Sequence, residues 1–136
     1  MAVYFDSNVF ILAALSNDKK ALNAKELIKK VILGELVAAT SSLTVDEVVW
    51  AIWKETKDRS LAIEEGLRLL QFDNLKIIEI DSNITRNSLN LMKHYKPLKP
   101  RDAIHLAAAI SIRATTIVSD DKDFDNVREI KRKGLD

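Results

Sequence analysis

Five acidic residues in this chain stand where apolar runs begin or end: Asp6 in YFDSN, Glu47 in SSLTVDEVVWAIW, Asp102 in KPRDAIHLAAA, and Asp121 and Asp123 in IVSDDKDF. A fold that gathers those borders builds a pocket of oxygen ligands, which suits hard divalent cations. Two carboxylates about 5 Å apart repel by about 3 kcal/mol at an effective dielectric near 20. A converged set must therefore take up protons, which shifts the apparent pKa values of the group, or take up one or two cations. Oxygen donors favour Mg²⁺ or Mn²⁺ over zinc or copper. A bound ion acidifies its water and neutralises charge on a phosphoryl group, and a second ion about 4 Å away holds the leaving oxygen as well.

The elements that must position these acids alternate between short β-rich runs and helices. AVYF (2–5), ELVAAT (35–40), LKIIEI (75–80) and TTIVS (115–119) read as strands. Between them, VFILAAL, KKALNAKELIKKVIL, DEVVWAIWKETK, LAIEEGLRLLQF, NITRNSLNLMKHY and RDAIHLAAAISIRA read as helices, with Gly34 stopping the second of these and the Pro97–Pro100 loop breaking the fifth. This order predicts an α/β class, a single domain over residues 1–136 with a central parallel sheet flanked by helices on both faces. In such sheets the usable crevice lies beyond the carboxyl ends of the strands. Asp6 follows the first strand directly, Asp121 follows the fourth, and Glu47 and Asp102 lie in the first turns of helices, so all four can reach that edge.

Composition narrows the chemistry further. The 136 residues are 47% hydrophobic and 30% charged, enough for one compact core. No cysteine is present, which removes disulfides, thiolate metal sites and cysteine nucleophiles and is consistent with a reducing, cytoplasmic setting. Two histidines are too few for a His-rich zinc site. No apolar stretch reaches the roughly 18 residues of a membrane helix, and the MAVYF start lacks a signal peptide's charged region. Net charge is only +1, but Lys and Arg gather in Lys19–Lys30, KHYKPLKPR and Lys131–Lys133, so a basic surface around an acidic pocket is one arrangement that attracts a polyanion. Ordinary solvated helix faces are the simpler account of each basic cluster taken alone.

Each residue also has a purely structural explanation. Asp6 is a helix N-cap candidate, with Asn8 orienting it. Glu47 and Asp102 suit the positive ends of helix dipoles, and the acids from Asp120 to Asp125 suit a polar turn. Ser41, Ser42 or Thr44 offers a cap for the helix carrying Glu47. His105 shares a helix face with Asp102 and invites a general-base role, but its apolar neighbours favour packing beneath the site against a backbone carbonyl. Trp50 and Trp53 favour core or dimer packing over base stacking, and His94 is read as a surface residue.

Taken together, YFDSN, the Glu of TVDEVVW, PRDAIHLAAA and IVSDDKDF resemble the PIN domain family over nearly the whole chain, in an order most similar to the VapC-type toxins of toxin–antitoxin pairs. The resemblance implies a metal-dependent endoribonuclease that hydrolyses RNA with metal-activated water and leaves a 5′-phosphate and a 3′-hydroxyl. It places the metal-binding and catalytic positions on Asp6, Glu47, Asp102 and Asp121, using one or two Mg²⁺ or Mn²⁺ ions, with Asp123 a further possible ligand and Asn8 and Ser119 in support. The choice of Asp121 over Asp120 follows the family's spacing from Ser119. Lys96, Lys99 and Arg101 are candidates for guiding the RNA strand, and Tyr95 for stacking on a base. The resemblance also implies a homodimer and a cognate antitoxin that blocks the site. The alternative is a non-catalytic version of the same fold serving as an RNA-binding or assembly scaffold.

Overall fold

A computed structural model describes residues 2–136. Five parallel strands, β1 (Val3–Phe5), β2 (Ala38–Ser41), β3 (Leu75–Ile78), β4 (Thr116–Val118) and β5 (Lys131–Lys133), form one sheet in the order β3-β2-β1-β4-β5. Helices α1 (Ser7–Leu15) and α2 (Lys19–Ile32) connect β1 to β2, and α3 (Ser42–Thr56) and α4 (Arg59–Leu70) connect β2 to β3. After α5 (Ser82–His94) and α6 (Pro100–Ser111) the chain re-enters on the other side of β1. The strand order thus reverses at β1, which opens a crevice beside its carboxyl end.

Side chains alternate across each strand, and this alternation splits the core in two. Tyr4, Ala39 and Ile117 point to the cluster built with Ile84, Leu91 and the α6 alanines. Phe5, Ala38 and Val118 point to the cluster built with Val9, Phe10, Ala24, Val31, Val48, Ile52 and Leu69 from α1 to α4. Helices therefore cover both faces. Ala103, Ala107, Ala108 and Ala109 are all buried, and with only methyl groups between them α6 can lie close on the sheet.

Local signals explain where the elements stop. Gly34, at φ +77°, ends α2 in a Schellman turn, with Glu35 N–H on the Lys30 carbonyl at 2.8 Å and Gly34 N–H on that of Val31 at 2.9 Å. Asp6, Asp18, Asp58 and Asp81 cap α1, α2, α4 and α5, each accepting a backbone N–H. The helix α3 departs from this pattern. It follows β2 without a loop, and the Ser41 side chain at its N-cap position makes no capping bond, because its Oγ accepts from the Tyr4 hydroxyl at 2.9 Å. Among the described residues, no helix is long and apolar enough to cross a membrane.

The structure adds one element and narrows one pair of alternatives. The strand β5 is an addition: Lys131, Arg132 and Lys133 carry no apolar signature and still pair with Thr116, Ile117 and Val118. Trp50 and Trp53 do not enter the core. They stand 57% and 40% exposed as an edge-to-face pair, with the Arg59 guanidinium 5.7 Å from the Trp53 ring.

Candidate metal centre

The predicted acids come together at the carboxyl edge of the sheet, arranged as two adjoining trios. Ligand atoms of Asp6, Glu47 and His105 lie within 4.8 Å of one another, as do those of Asp102, Asp121 and Asp123. Ser119 joins the two groups: its buried Oγ donates to Asp6 Oδ2 at 2.6 Å and accepts the Asp121 N–H at 3.0 Å.

Asp6 leaves β1 and caps α1, accepting from Ser7 N–H at 2.7 Å. The cap is therefore real, and it coexists with a place in the pocket. Asn8 donates to Asp6 Oδ2 and to Ser119 Oγ, both at 3.3 Å, while its own carbonyl accepts the Asp120 N–H at 3.3 Å. These bonds fix the carboxylate, which is only 6% exposed, against the loop after β4. Asp120 itself turns away to form an ion pair with Lys20 at 3.0 Å, whereas Asp121 faces Asp102 and Asp123. Asp121 Oδ1 also accepts the Asp123 N–H at 2.9 Å, which shapes the short 3₁₀ turn Lys122–Phe124.

On the other side, Glu47 sits in α3, whose start is held to the sheet by Thr40. The Thr40 hydroxyl bonds the Phe5 carbonyl at 2.8 Å and the Thr44 hydroxyl at 2.7 Å. Thr44 is thus committed to this contact, and Ser42 Oγ accepts the Ile80 N–H at 3.3 Å. Asp102 lies in the first turn of α6 and accepts the Lys99 N–H at 3.3 Å. Burial, followed by the charge of Asp121, pushes its carboxyl up to about 6 from an ordinary 3.8, with smaller contributions from Asp6 and Asp123. The displacement reflects the half-burial of the carboxyl first and the neighbouring negative charge second.

His105 is buried beneath the site, as its apolar neighbours predict, but its partner is not the expected one. It does not hold a backbone carbonyl. It is 1% exposed, with Nδ1 2.7 Å from the Tyr4 hydroxyl and Nε2 2.5 Å from Glu47 Oε1 and 3.4 Å from Asp6 Oδ1. Burial alone would lower the imidazole's pKa. The Glu47 hydrogen bond and the charges of Asp6, Glu47 and Asp102 outweigh it and hold the pKa above the ordinary value. Nε2 meets Glu47 and Nδ1 meets the Tyr4 hydroxyl, which itself donates to Ser41 Oγ, so Ser41, Tyr4, His105 and Glu47 form a continuous hydrogen-bonded chain. The clue in the sequence was the spacing of Asp102 and His105, three residues apart on one helical face.

Lys99 and Arg101 flank Asp102 on the first turn of α6, and Lys96 lies in the preceding loop; all three are exposed. His94 is exposed as expected. Tyr95 is not free to stack on a base, because its hydroxyl donates to Glu129 at 2.5 Å, accepts from Arg128 N–H at 3.3 Å, and its ring packs on the α5–α6 core.

The donor set fits a divalent cation. Five carboxylates and one imidazole are carried on four separate stretches of chain, and within each trio the ligand atoms lie close enough to share one ion. The imidazole joins the acids as a partner rather than as a further carboxylate: its Nε2 is engaged by Glu47, which gives it a role in orienting that side chain.

Fold and site together define a parallel α/β domain with an acidic crevice at the carboxyl edge of its sheet. The family profile of the PIN domain matches residues 3–130, and the chain belongs to that family. Its fold is similar to that of VapBC2 from Rickettsia felis bound to a promoter DNA fragment, with a TM-score of 0.73 and 18% identity over 100% of each chain. It is similar to a toxin–antitoxin complex from Klebsiella pneumoniae, with a TM-score of 0.68 and 26% identity over 94% of each chain. It is also similar to VapC20 of Mycobacterium tuberculosis, a sarcin–ricin loop cleaving toxin, with a TM-score of 0.75 and 13% identity over 95% of this chain and 98% of that one. No curated protein matches the sequence.

Proposed function

We propose that this chain is a Mg²⁺- or Mn²⁺-dependent endoribonuclease and the toxin of a toxin–antitoxin pair. The observation that carries this reading is the meeting of Asp6, Glu47, Asp102, Asp121, Asp123 and His105 at one crevice. The VapBC and VapC20 structures supply the toxin and RNA-cleaving context.

In this reading Asp6, Glu47, Asp102 and Asp121 hold one or two ions, with Asp123 and His105 at the same crevice. A bound ion lowers the pKa of water and neutralises phosphoryl charge. Ser119 and Asn8 hold the Asp6 carboxylate in one orientation. His105 holds Glu47 through Nε2, and Tyr4 fixes the ring from its far side. The exposed Lys96, Lys99 and Arg101 beside Asp102 attract the phosphate backbone toward the acids, where an all-acidic rim would repel it. An antitoxin segment fits the apolar cleft of about 390 Å³ among α1 to α4, lined by Phe10, Ile28, Val48, Ile52 and Phe72 with Lys25 and Lys29 at its margin. The exposed Trp50–Trp53 pair offers apolar surface to a second copy in a homodimer.

The direct test is incubation of defined RNA with purified protein and Mg²⁺ or Mn²⁺. Internal cuts bearing 5′-phosphate and 3′-hydroxyl ends are expected, and a chelator should stop them. Cuts that continue in chelator would contradict the metal-dependent reading, and intact RNA bound without cleavage would favour a scaffold.

Asp102 adds a pH signature. Because its folded-state pKa, about 6, lies above the ordinary 3.8, its stabilising proton is fully present below the ordinary value and is lost as pH rises through about 6. A cation competes with that proton. Mn²⁺ affinity, read from the dependence of melting temperature on Mn²⁺ concentration, is therefore expected to weaken about tenfold from pH 7 to pH 5. An affinity that does not change over this range would remove Asp102 from the ligand set.

A further inference from the structure

We propose that Arg132 is a positioning residue for the metal centre, acting as a clamp that closes the acid-bearing loop between β4 and the following 3₁₀ turn. The inference rests on the reading of that crevice as a cation site.

Its basis is the unexpected fifth strand. Lys131 and Lys133 are exposed, while Arg132 points to the opposite face and is only 16% exposed. There the guanidinium reaches both ends of one loop. Nε–H and Nη2–H donate to the two oxygens of Asp125, at 2.6 and 3.3 Å, and Nη1–H donates to the Ser119 carbonyl at 3.1 Å. The Ser119 N–H in turn donates to the Lys133 carbonyl at 3.0 Å, so side chain and backbone of the same short strand grip the loop's origin.

Between Ser119 and Asp125 lie Asp121 and Asp123, whose carboxylates face Asp102 across the crevice. Like charges this close push the loop outward. Inside the loop, the opposing bonds are Asp121 N–H to Ser119 Oγ, Asp123 N–H to Asp121 Oδ1, and Asp125 N–H to the Lys122 carbonyl. None of these ties one end to the other. Arg132 does, and it needs a planar fork to bind a carboxylate with two nitrogens while a third meets a carbonyl, which an ammonium cannot supply.

A second observation concerns Gly134. A Cβ at this position would stand 3.1 Å from Arg132 Nη1. The guanidinium thus sits in tight contact with the space a side chain would fill, and relief would require Nη1, the nitrogen on the Ser119 carbonyl, to give by a few tenths of an ångström.

The test uses the full chain with Arg132→Met, Arg132→Lys, Asp125→Asn and Gly134→Ala. Amide hydrogen exchange in the metal-free protein is the first readout. The Asp121 and Asp123 amides are expected to exchange faster in Arg132→Met and Asp125→Asn, with a smaller rise in Gly134→Ala, while the Tyr4 and Ile117 amides keep wild-type protection. The second readout is the Mn²⁺ dissociation constant from water-proton relaxation, expected to rise about 10- to 100-fold in Arg132→Met. Arg132→Lys should recover little of that loss. If Arg132→Met does not fold, Asp125→Asn, at an exposed carboxylate, carries the same comparison. Wild-type exchange at Asp121 and Asp123 in folded variants would overturn the clamp. Faster exchange in a protein whose wild type binds no Mn²⁺ would uphold the clamp and overturn the metal reading.

Discussion

Asp102→Asn will lower RNA cleavage by about 100-fold or more and, in the same protein, raise the metal-free melting temperature at pH 7.5. The first effect follows from the proposed reading, in which Asp102 is one of the carboxylates that hold the ion and the ion neutralises charge on the phosphoryl group. Such electrostatic stabilisation is worth several kcal/mol, and about 2.7 kcal/mol already equals 100-fold. The second effect has the opposite sign because the carboxylate is held against its environment. Burial and the Asp121 charge push its pKa up to about 6, so ionisation at pH 7.5 costs the empty fold free energy. Undiscounted, a displacement of about two units corresponds to about 3 kcal/mol. Asp102 is only half-buried, so solvent screening reduces this to about 1 kcal/mol, or about 3 °C in a chain of this size. Asparagine retains an oxygen to accept the Lys99 N–H, so the helix start loses little. Calorimetry and a cleavage assay on one preparation check both halves. A variant that is less active and also less stable at pH 7.5 would mean that Asp102 is mainly a helix-start residue.

His105→Ala is the largest expected stability loss, about 3–5 kcal/mol by denaturant unfolding of the metal-free protein. The ring is buried between Tyr4 and Glu47, and its removal leaves a cavity, a phenol bonded to Ser41 alone and a Glu47 carboxylate without its imidazole partner. Tyr4→Phe removes the hydroxyl between Ser41 and His105 but keeps the ring in the core, and should cost about 1–2 kcal/mol. The double variant should cost less than the sum, since both delete the same hydrogen bond. The pH dependence has a definite sign. With its pKa held above the ordinary 6.5, His105 contributes stability that is complete below that value and is lost as pH rises through the folded-state pKa. The cost of His105→Ala should therefore be greater at pH 6 than at pH 9. Equal costs at both values would show that the buried ring is neutral and serves as packing.

The predicted strands AVYF, ELVAAT, LKIIEI and TTIVS correspond to β1 through β4 with ends displaced by up to three residues, because each is a short apolar or β-branched run between helical segments. The fifth strand had no such signal. Lys131–Lys133 is extended because its backbone pairs with β4 and its central arginine finds partners on a distant loop, and neither condition is local. Helical spacing suits the tryptophans to core or dimer packing, and their exposure on α3 removes the first of these, a choice that spacing alone could not make.

What the sequence by itself determined is the kind of element that Asp6, Asp102 and Asp121 border; Glu47, expected in a helix's first turn, lies a turn further in because α3 begins at Ser42. Asp6 caps a helix after a strand, and Asp102 sits three residues after Lys99 at a helix start, and both facts depend on neighbours within one turn. Only the tertiary structure decided that the acids form two trios, that His105 completes one of them, and that Asp120 leaves the site for Lys20. The deciding contacts join Tyr4 to His105 and Asp6 to Ser119, more than 100 residues apart in each case. Periodicity reports which face of a segment is apolar. The partner that a buried polar atom meets on that face depends on how whole layers pack, and sheet order and the β1 switch set that geometry.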